Sequence, residues 1–255
     1  MLRDRLIFSL IYNAGAFMQS RNFRLQRVGD INWLERNYKF QKISFSLDEL
    51  IVVDATKNNK DIKKFSEAIQ RLVSDVFIPV AAGGGIRQIE DAELLFNSGA
   101  DKVILNSALY ESPELAKSII EKYGSQSLVA SVDYKLVNDV PVVYIKDGSV
   151  PIAVSLDEYL IFLQQLGVGE ILLNSIQQDG TGFGYDISTI QKYSQSISVP
   201  LLVMGGAGNE QHLLEGLRQD GVSAVVTANL FNFIGNGLPN ARKYMLENNA
   251  NLARW

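Results

Sequence analysis

The sequence predicts an α/β protein, a closed (β/α)8 TIM barrel assembled as a pseudo-twofold pair of half-barrels, on three observations. Eight short apolar runs alternate with amphipathic stretches, the chain has 255 residues, and its second half repeats its first. About 250 residues is the usual size of such a barrel. Parallel strands buried on both faces read as consecutive apolar, β-branched residues rather than as a strict alternation. An open doubly wound sheet is the rival architecture, and the repeat counts against it.

The expected strands are 5–11, 49–54, 79–82, 102–105, 128–133, 170–174, 200–204 and 224–227. Helix signals lie between them. Ser112 is placed as an N-cap before Pro113 at the first helical position, and Gly124 is placed to end that helix. Ser155 and Glu158 have capping-box spacing. The connection 134–154 is oversized, and Val142-Val143-Tyr144-Ile145 within it reads as an extra strand, part of a hairpin over the barrel mouth. The repeat runs at an offset of 121 residues: Glu49-Leu50-Ile51 echoes Glu170-Ile171-Leu172, and Gly84-Gly85 echoes Gly205-Gly206. After one insertion, Gly99 to Val103 echoes Gly221 to Val225. No Pro/Gly/Ser-rich linker separates the halves, so one domain over 1–255 is expected, with half-barrels of about 1–123 and 124–255.

Composition removes several function classes. Acids outnumber bases 28 to 24, which argues against general nucleic-acid affinity. Without cysteine there is no disulfide, thiolate metal site or cysteine nucleophile, and the single histidine, His212, builds no zinc site alone. No metal or cofactor is therefore expected. No run of about 18 apolar residues occurs, and the start Met-Leu-Arg-Asp-Arg is too charged for a signal peptide. A cytoplasmic protein with no membrane attachment is the expectation.

In a barrel of this kind the loops after the strands form the active face. Gly83-Gly84-Gly85 follows one expected strand, and Gly205-Gly206-Ala207-Gly208 follows the strand half a barrel away. Glycines there let backbone N–H groups approach an anion. Two facing phosphate sites are expected. Gly84, Gly85, Asn106 and Ser107 would form one, and Gly180, Gly205, Gly206, Ala228 and Asn229 the other. The bulk of Asn229 is expected to make the second site the weaker. Tight βα turns alone would also use these glycines. Carboxylates stand at strand ends: Asp54, Asp133 and, in Gln178-Asp179-Gly180-Thr181, Asp179. Each is a candidate general acid or base if burial raises its pKa, and each is otherwise a helix cap. Tyr12 is placed to donate a hydrogen bond at the rim or to pack. His212 is expected on the surface, and Trp33 and Trp255 in packing. At the strand beginnings, Arg5, Glu49, Lys102 and Glu170 supply two cations and two acids that can close into a ring around the barrel axis.

From Arg5 to about Phe231 the chain resembles the cyclase (synthase) subunit of imidazole glycerol phosphate synthase. The resemblance rests on Asp48-Glu49-Leu50, Gly83-Gly84-Gly85-Ile86, Gly99-Ala100-Asp101-Lys102-Val103, Gly124-Ser125-Gln126, Gly169-Glu170-Ile171-Leu172-Leu173, Asp179-Gly180-Thr181 with Gly184-Tyr185-Asp186, and Gly205-Gly206-Ala207-Gly208. It implies a barrel that docks a class I glutaminase on its N-terminal face and receives ammonia through a gate of Arg5, Glu49, Lys102 and Glu170. The ammonia goes to a substrate carrying two phosphates, with Asp54 among the residues around it. Asp133 would be a catalytic acid/base, with Asp179 in support.

The chain departs from that pattern at two positions. The family's other catalytic aspartate falls on Ile11, and a substrate-binding lysine falls on Gln19. In this it looks similar to the second copy of the cyclase subunit found in surface-polysaccharide gene clusters. Two expectations follow: a divergent cyclase-type subunit, or an ammonia conduit serving a sugar amidotransferase in lipopolysaccharide biosynthesis. A partnerless phosphosugar isomerase is a third, disfavoured by the charged quartet.

Overall fold

The computed structural model describes residues 3–38 and 40–254. In chain order its elements are β1 (Arg5–Asn13), β2 (Ala16–Arg21), β3 (Arg24–Gly29), α1 (Ile31–Tyr38), α2 (Phe40–Ile43), β4 (Glu49–Asp54), α3 (Ile62–Asp75), β5 (Val80–Gly83), α4 (Ile89–Asn97) and β6 (Lys102–Leu105). There follow α5 (Ser107–Glu111), α6 (Pro113–Tyr123), β7 (Leu128–Val137), β8 (Val140–Ile145), β9 (Val150–Ser155), α7 (Leu156–Leu166), β10 (Glu170–Ser175) and α8 (Ile187–Tyr193). The last elements are β11 (Leu201–Met204), α9 (Glu210–Leu217), β12 (Val222–Thr227) and α10 (Gly237–Glu247).

The parallel strands β1, β4, β5, β6, β7, β10, β11 and β12 pair in that order, and β12 pairs back to β1, closing the expected (β/α)8 barrel. All eight expected strands are present, with ends displaced by up to four residues. In this ring β1 lies opposite β7. Alternation along each strand sorts the side chains: Leu6, Phe8 and Leu10 pack outward against the helices, whereas Ile7 joins Ile51, Ala81, Ile104, Val129 and Leu172 inside.

Local signals acted mostly as expected. Ser155 and Glu158 form the capping box of α7, and Gly124, at φ 86°, ends α6 behind Pro113. Ser112 occupies the expected N-cap position before Pro113; its side chain makes no capping hydrogen bond, and its backbone N–H closes the preceding turn on the Ala108 carbonyl. Trp33 packs edge-on against Tyr38. Trp255 lies outside the described residues.

Two excursions cross the mouth. The expected extra strand is β8, and it pairs with β7 and β9 in an antiparallel meander. Unforeseen was the hairpin β2–β3, which pairs with β1 and turns at Asn22 and Phe23, both at positive φ. The two excursions meet where a Cβ on Gly148 would lie 2.9 Å from the Phe23 ring.

The internal repeat survives at atomic detail. A Cβ on Gly84 would lie 2.3 Å from the Asp54 carbonyl oxygen, and one on Gly205 would lie 2.5 Å from that of Ser175. Both glycines have φ near +100°, so both close approach and backbone conformation require glycine.

Candidate active site

At the N-terminal end the barrel begins with four charges. Arg5 Nη1 contacts Glu49 Oε2 at 2.8 Å and Glu170 Oε1 at 2.9 Å. Lys102 Nζ contacts the same two carboxylates at 2.9 and 3.0 Å. The expected quartet is thus a closed ring of alternating sign. It forms because each residue starts a strand and shares the inward face of the barrel. Glu49 is almost fully buried; burial raises its pKa, against the opposing pull of Lys102 and Arg5. Above the ring the interior is lined mainly by apolar side chains, Ile7, Ile51, Ala81, Ile104, Val129 and Leu172, with the buried Ser9 hydroxyl among them.

Asp133 stands at that rim. Its two carboxylate oxygens accept hydrogen bonds from Asn174 Nδ2 at 2.9 Å and Asn106 Nδ2 at 3.1 Å. Burial pushes its pKa up to about 7, with Asp179 and Asp147 adding like-charge repulsion. A carboxyl group near neutrality can both take and return a proton. The Asn106 side chain is spent on Asp133, on the Ser131 carbonyl at 2.9 Å and, through its Oδ1, on the Ser107 hydroxyl, leaving its backbone to the glycine loop. Asn174, at the end of β10 and inward by alternation with Leu172, was not singled out from sequence, because a strand-end asparagine reads as a turn residue. Opposite Asp133, Ile11 occupies the inward rim position of β1. Of the two readings of Tyr12 the structure bears out packing: it faces outward, between the rings of Phe17 and Phe65.

The first glycine loop is braced by Asp54, which alternation turns away from the axis. Its Oδ1 accepts the Thr56 N–H at 2.9 Å, and its carbonyl accepts Lys60 Nζ at 2.6 Å. Asp54 is thus a bracing residue and not one that opens onto the mouth. Ser107 Oγ, beside this loop, accepts the Lys146 N–H from the meander at 2.9 Å.

The second glycine loop sits under the hairpin. Gln19, Asp179, Gly180, Gly205, Gly206, Ala228 and Asn229 line a cavity of about 20 Å³, room for roughly one water. Asp179 Oδ2 accepts from the Ser20 hydroxyl and from Phe23 N–H, and the Asp179 carbonyl accepts Asn22 N–H. Burial raises the pKa of Asp179, with those two donors opposing. Gln19 Oε1 accepts Leu230 N–H at 2.8 Å. Asn229 folds its Oδ1 back onto Phe231 and Asn232 N–H, so its bulk does not fill the cavity. His212 is a further correction: it is half-buried, and its Nδ1 accepts the Gly208 N–H at 3.3 Å, removing one loop amide from any anion.

Comparison with known proteins follows the same lines. A family described as histidine biosynthesis protein matches residues 21–235. A protein of Parasynechococcus marenigrum, provisionally named imidazole glycerol phosphate synthase subunit hisF2, is 43% identical over 100% of this chain and 95% of its own. Imidazole glycerol phosphate synthase subunit HisF of Chlorobium limicola is 35% identical over 96% of both chains. The HisF subunit of Pyrobaculum aerophilum is 34% identical over 92% of this chain and 91% of its own.

Proposed function

The chain belongs to the imidazole glycerol phosphate synthase subunit family, and on that footing we propose that it is a cyclase-type subunit, a lyase component of a glutamine amidotransferase complex. A class I glutaminase docks over the ring of Arg5, Glu49, Lys102 and Glu170. Ammonia released there crosses the apolar interior and meets a phosphorylated substrate at the C-terminal face. The glycine loops hold the phosphates through backbone N–H groups. Asp133 moves the proton.

The observation that carries this reading is the axial alignment of a charged ring, a largely apolar interior and, at the far rim, the buried Asp133 carboxylate held by Asn106 and Asn174. No exchange of the nitrogen with solvent is needed along that axis. The reaction would take place in the cytoplasm, where glutamine-dependent biosynthesis runs.

Ile11 favours a second reading, a conduit that passes ammonia to a sugar amidotransferase without cyclising anything. An isoleucine neither donates nor accepts a proton, so the rim opposite Asp133 lacks an acid/base partner. Steady-state kinetics with ammonium salts and the bisphosphorylated ribulosyl intermediate separate the two. The expected result is weak turnover that rises in Ile11→Asp and rises again in the double variant with Gln19→Lys, since proton transfer depends on a held substrate. Wild-type turnover near ~1 s⁻¹, within the usual enzyme range, would refute the importance of Ile11. No turnover in any of these three proteins, with the glutaminase complex intact, would select the conduit.

A further inference from the structure

The two glycine loops obey the internal repeat at their first glycine and break it at the second. A Cβ on Gly206 would meet the Gly184 carbonyl, a backbone group. A Cβ on Gly85 would instead meet the side chain of Lys60, 2.4 Å from Cδ and 2.8 Å from Nζ. We propose that Lys60 is the cation that binds a phosphate at the first glycine loop, and that it makes this loop the tighter of the two anion sites.

An ammonium group carries three donors. One of those on Lys60 is spent on the Asp54 carbonyl at 2.6 Å, and the charge is shared with Asp54 Oδ2 at 3.7 Å, beyond hydrogen-bond reach. The remaining donors sit against Gly85, and the side chain is 25% exposed, so an incoming anion reaches it. Asp54 is 2% exposed and would repel a phosphate if Lys60 were absent. The second loop has the opposite balance: among the described residues its cavity is lined by one carboxylate, Asp179, and by no lysine or arginine. Charge-assisted hydrogen bonds to phosphate are roughly twice as strong as neutral ones.

The inference rests on the phosphate reading of the glycine loops, and the test separates the two. Inorganic phosphate is titrated into the full chain while the amide resonances of Gly84, Gly85, Gly205 and Gly206 are followed by NMR. In wild type the first pair should saturate at lower phosphate than the second. Lys60→Met should weaken the first site by roughly tenfold, the scale of one charged hydrogen bond, and leave the second unchanged. Lys60→Arg should stay within about threefold of wild type. Lys60→Gln provides a polar variant should the methionine protein fold poorly. In Lys60→Met/Asp54→Asn the first site should remain weak, because the phosphate contact is still missing. Full recovery there would overturn the proposal, reducing Lys60 to a counter-ion for Asp54. Saturable binding that is indifferent to Lys60 would also overturn it while sparing the phosphate reading. Failure of wild type to bind phosphate at either loop would overturn both.

Discussion

Replacing Asp179 with alanine removes the acceptor of two hydrogen bonds that hold β2–β3 down, one from the Ser20 hydroxyl and one from Phe23 N–H at 3.0 Å. Hydrogen bonds to a charged group contribute about 1.5–3 kcal/mol each. The lower end applies here, because burial already penalises the charged form of Asp179. The loss is then about 3 kcal/mol in the free energy of opening the hairpin. Other contacts survive and bound the effect: Asn22 N–H to the Asp179 carbonyl, Asn22 Nδ2 to the carbonyls of Ile176 and Gln177, Leu230 N–H to Gln19 Oε1, and the pairing of β2 with β1. At 1.36 kcal/mol per decade, amides of residues 16–29 should exchange with solvent about a hundredfold faster. Native-state hydrogen exchange, resolved by mass spectrometry on peptides spanning 16–29, measures this. Rates there within about threefold of wild type would refute the latch. Equal acceleration in β4, β5 and β6 would refute its locality.

Two further outcomes follow from the buried charges. Asp133 has a folded-state pKa of about 7, raised mainly by burial, against an unfolded value near 4. The native state therefore binds more protons between about pH 4 and 7, and stability falls as pH rises through that window, by up to about 4 kcal/mol. Urea denaturation near pH 5 and pH 8 should show this slope in wild type and its loss in Asp133→Asn; an unchanged slope in the variant would contradict it. In the ring, Lys102→Met leaves the buried Glu49 with Arg5 alone and should cost about 3 kcal/mol, with most of it recovered by adding Glu49→Gln. A cost below about 1 kcal/mol for the single change would mean that the ring tolerates an unmatched acid.

The barrel was legible because its strands are buried on both faces and read as unbroken apolar runs such as Leu50-Ile51-Val52-Val53. The ring was legible because its four residues begin strands, where register fixes their height along the axis. The hairpin was not. Ala16–Arg21 and Arg24–Gly29 mix apolar and polar residues without a clean alternation, and their turn at Asn22-Phe23 lacks the glycine that announces most such turns. Lys60 was invisible for a different reason: the turn after Asp54 folds it back onto a loop some 25 positions later, a contact without periodicity. His212 looked like a surface residue because it sits on the helix after Gly208, yet its ring turns back to that glycine. Asn174 needed the pairing of β10 with β7, which brings it level with Asp133.

The apolar interior between the ring and Asp133 also acts on proton balance. Burying an unpaired ammonium ion among Ile7, Ile51, Ile104 and Leu172 costs several kcal/mol even after relaxation, whereas a neutral amine meets no such barrier. On the proposed route only the free base crosses, and its proton stays on the N-terminal side. The nitrogen therefore arrives nucleophilic whatever the acidity at the mouth. Each passage leaves the partner's side of the barrel one proton richer, to be discharged through the glutaminase and not through the substrate.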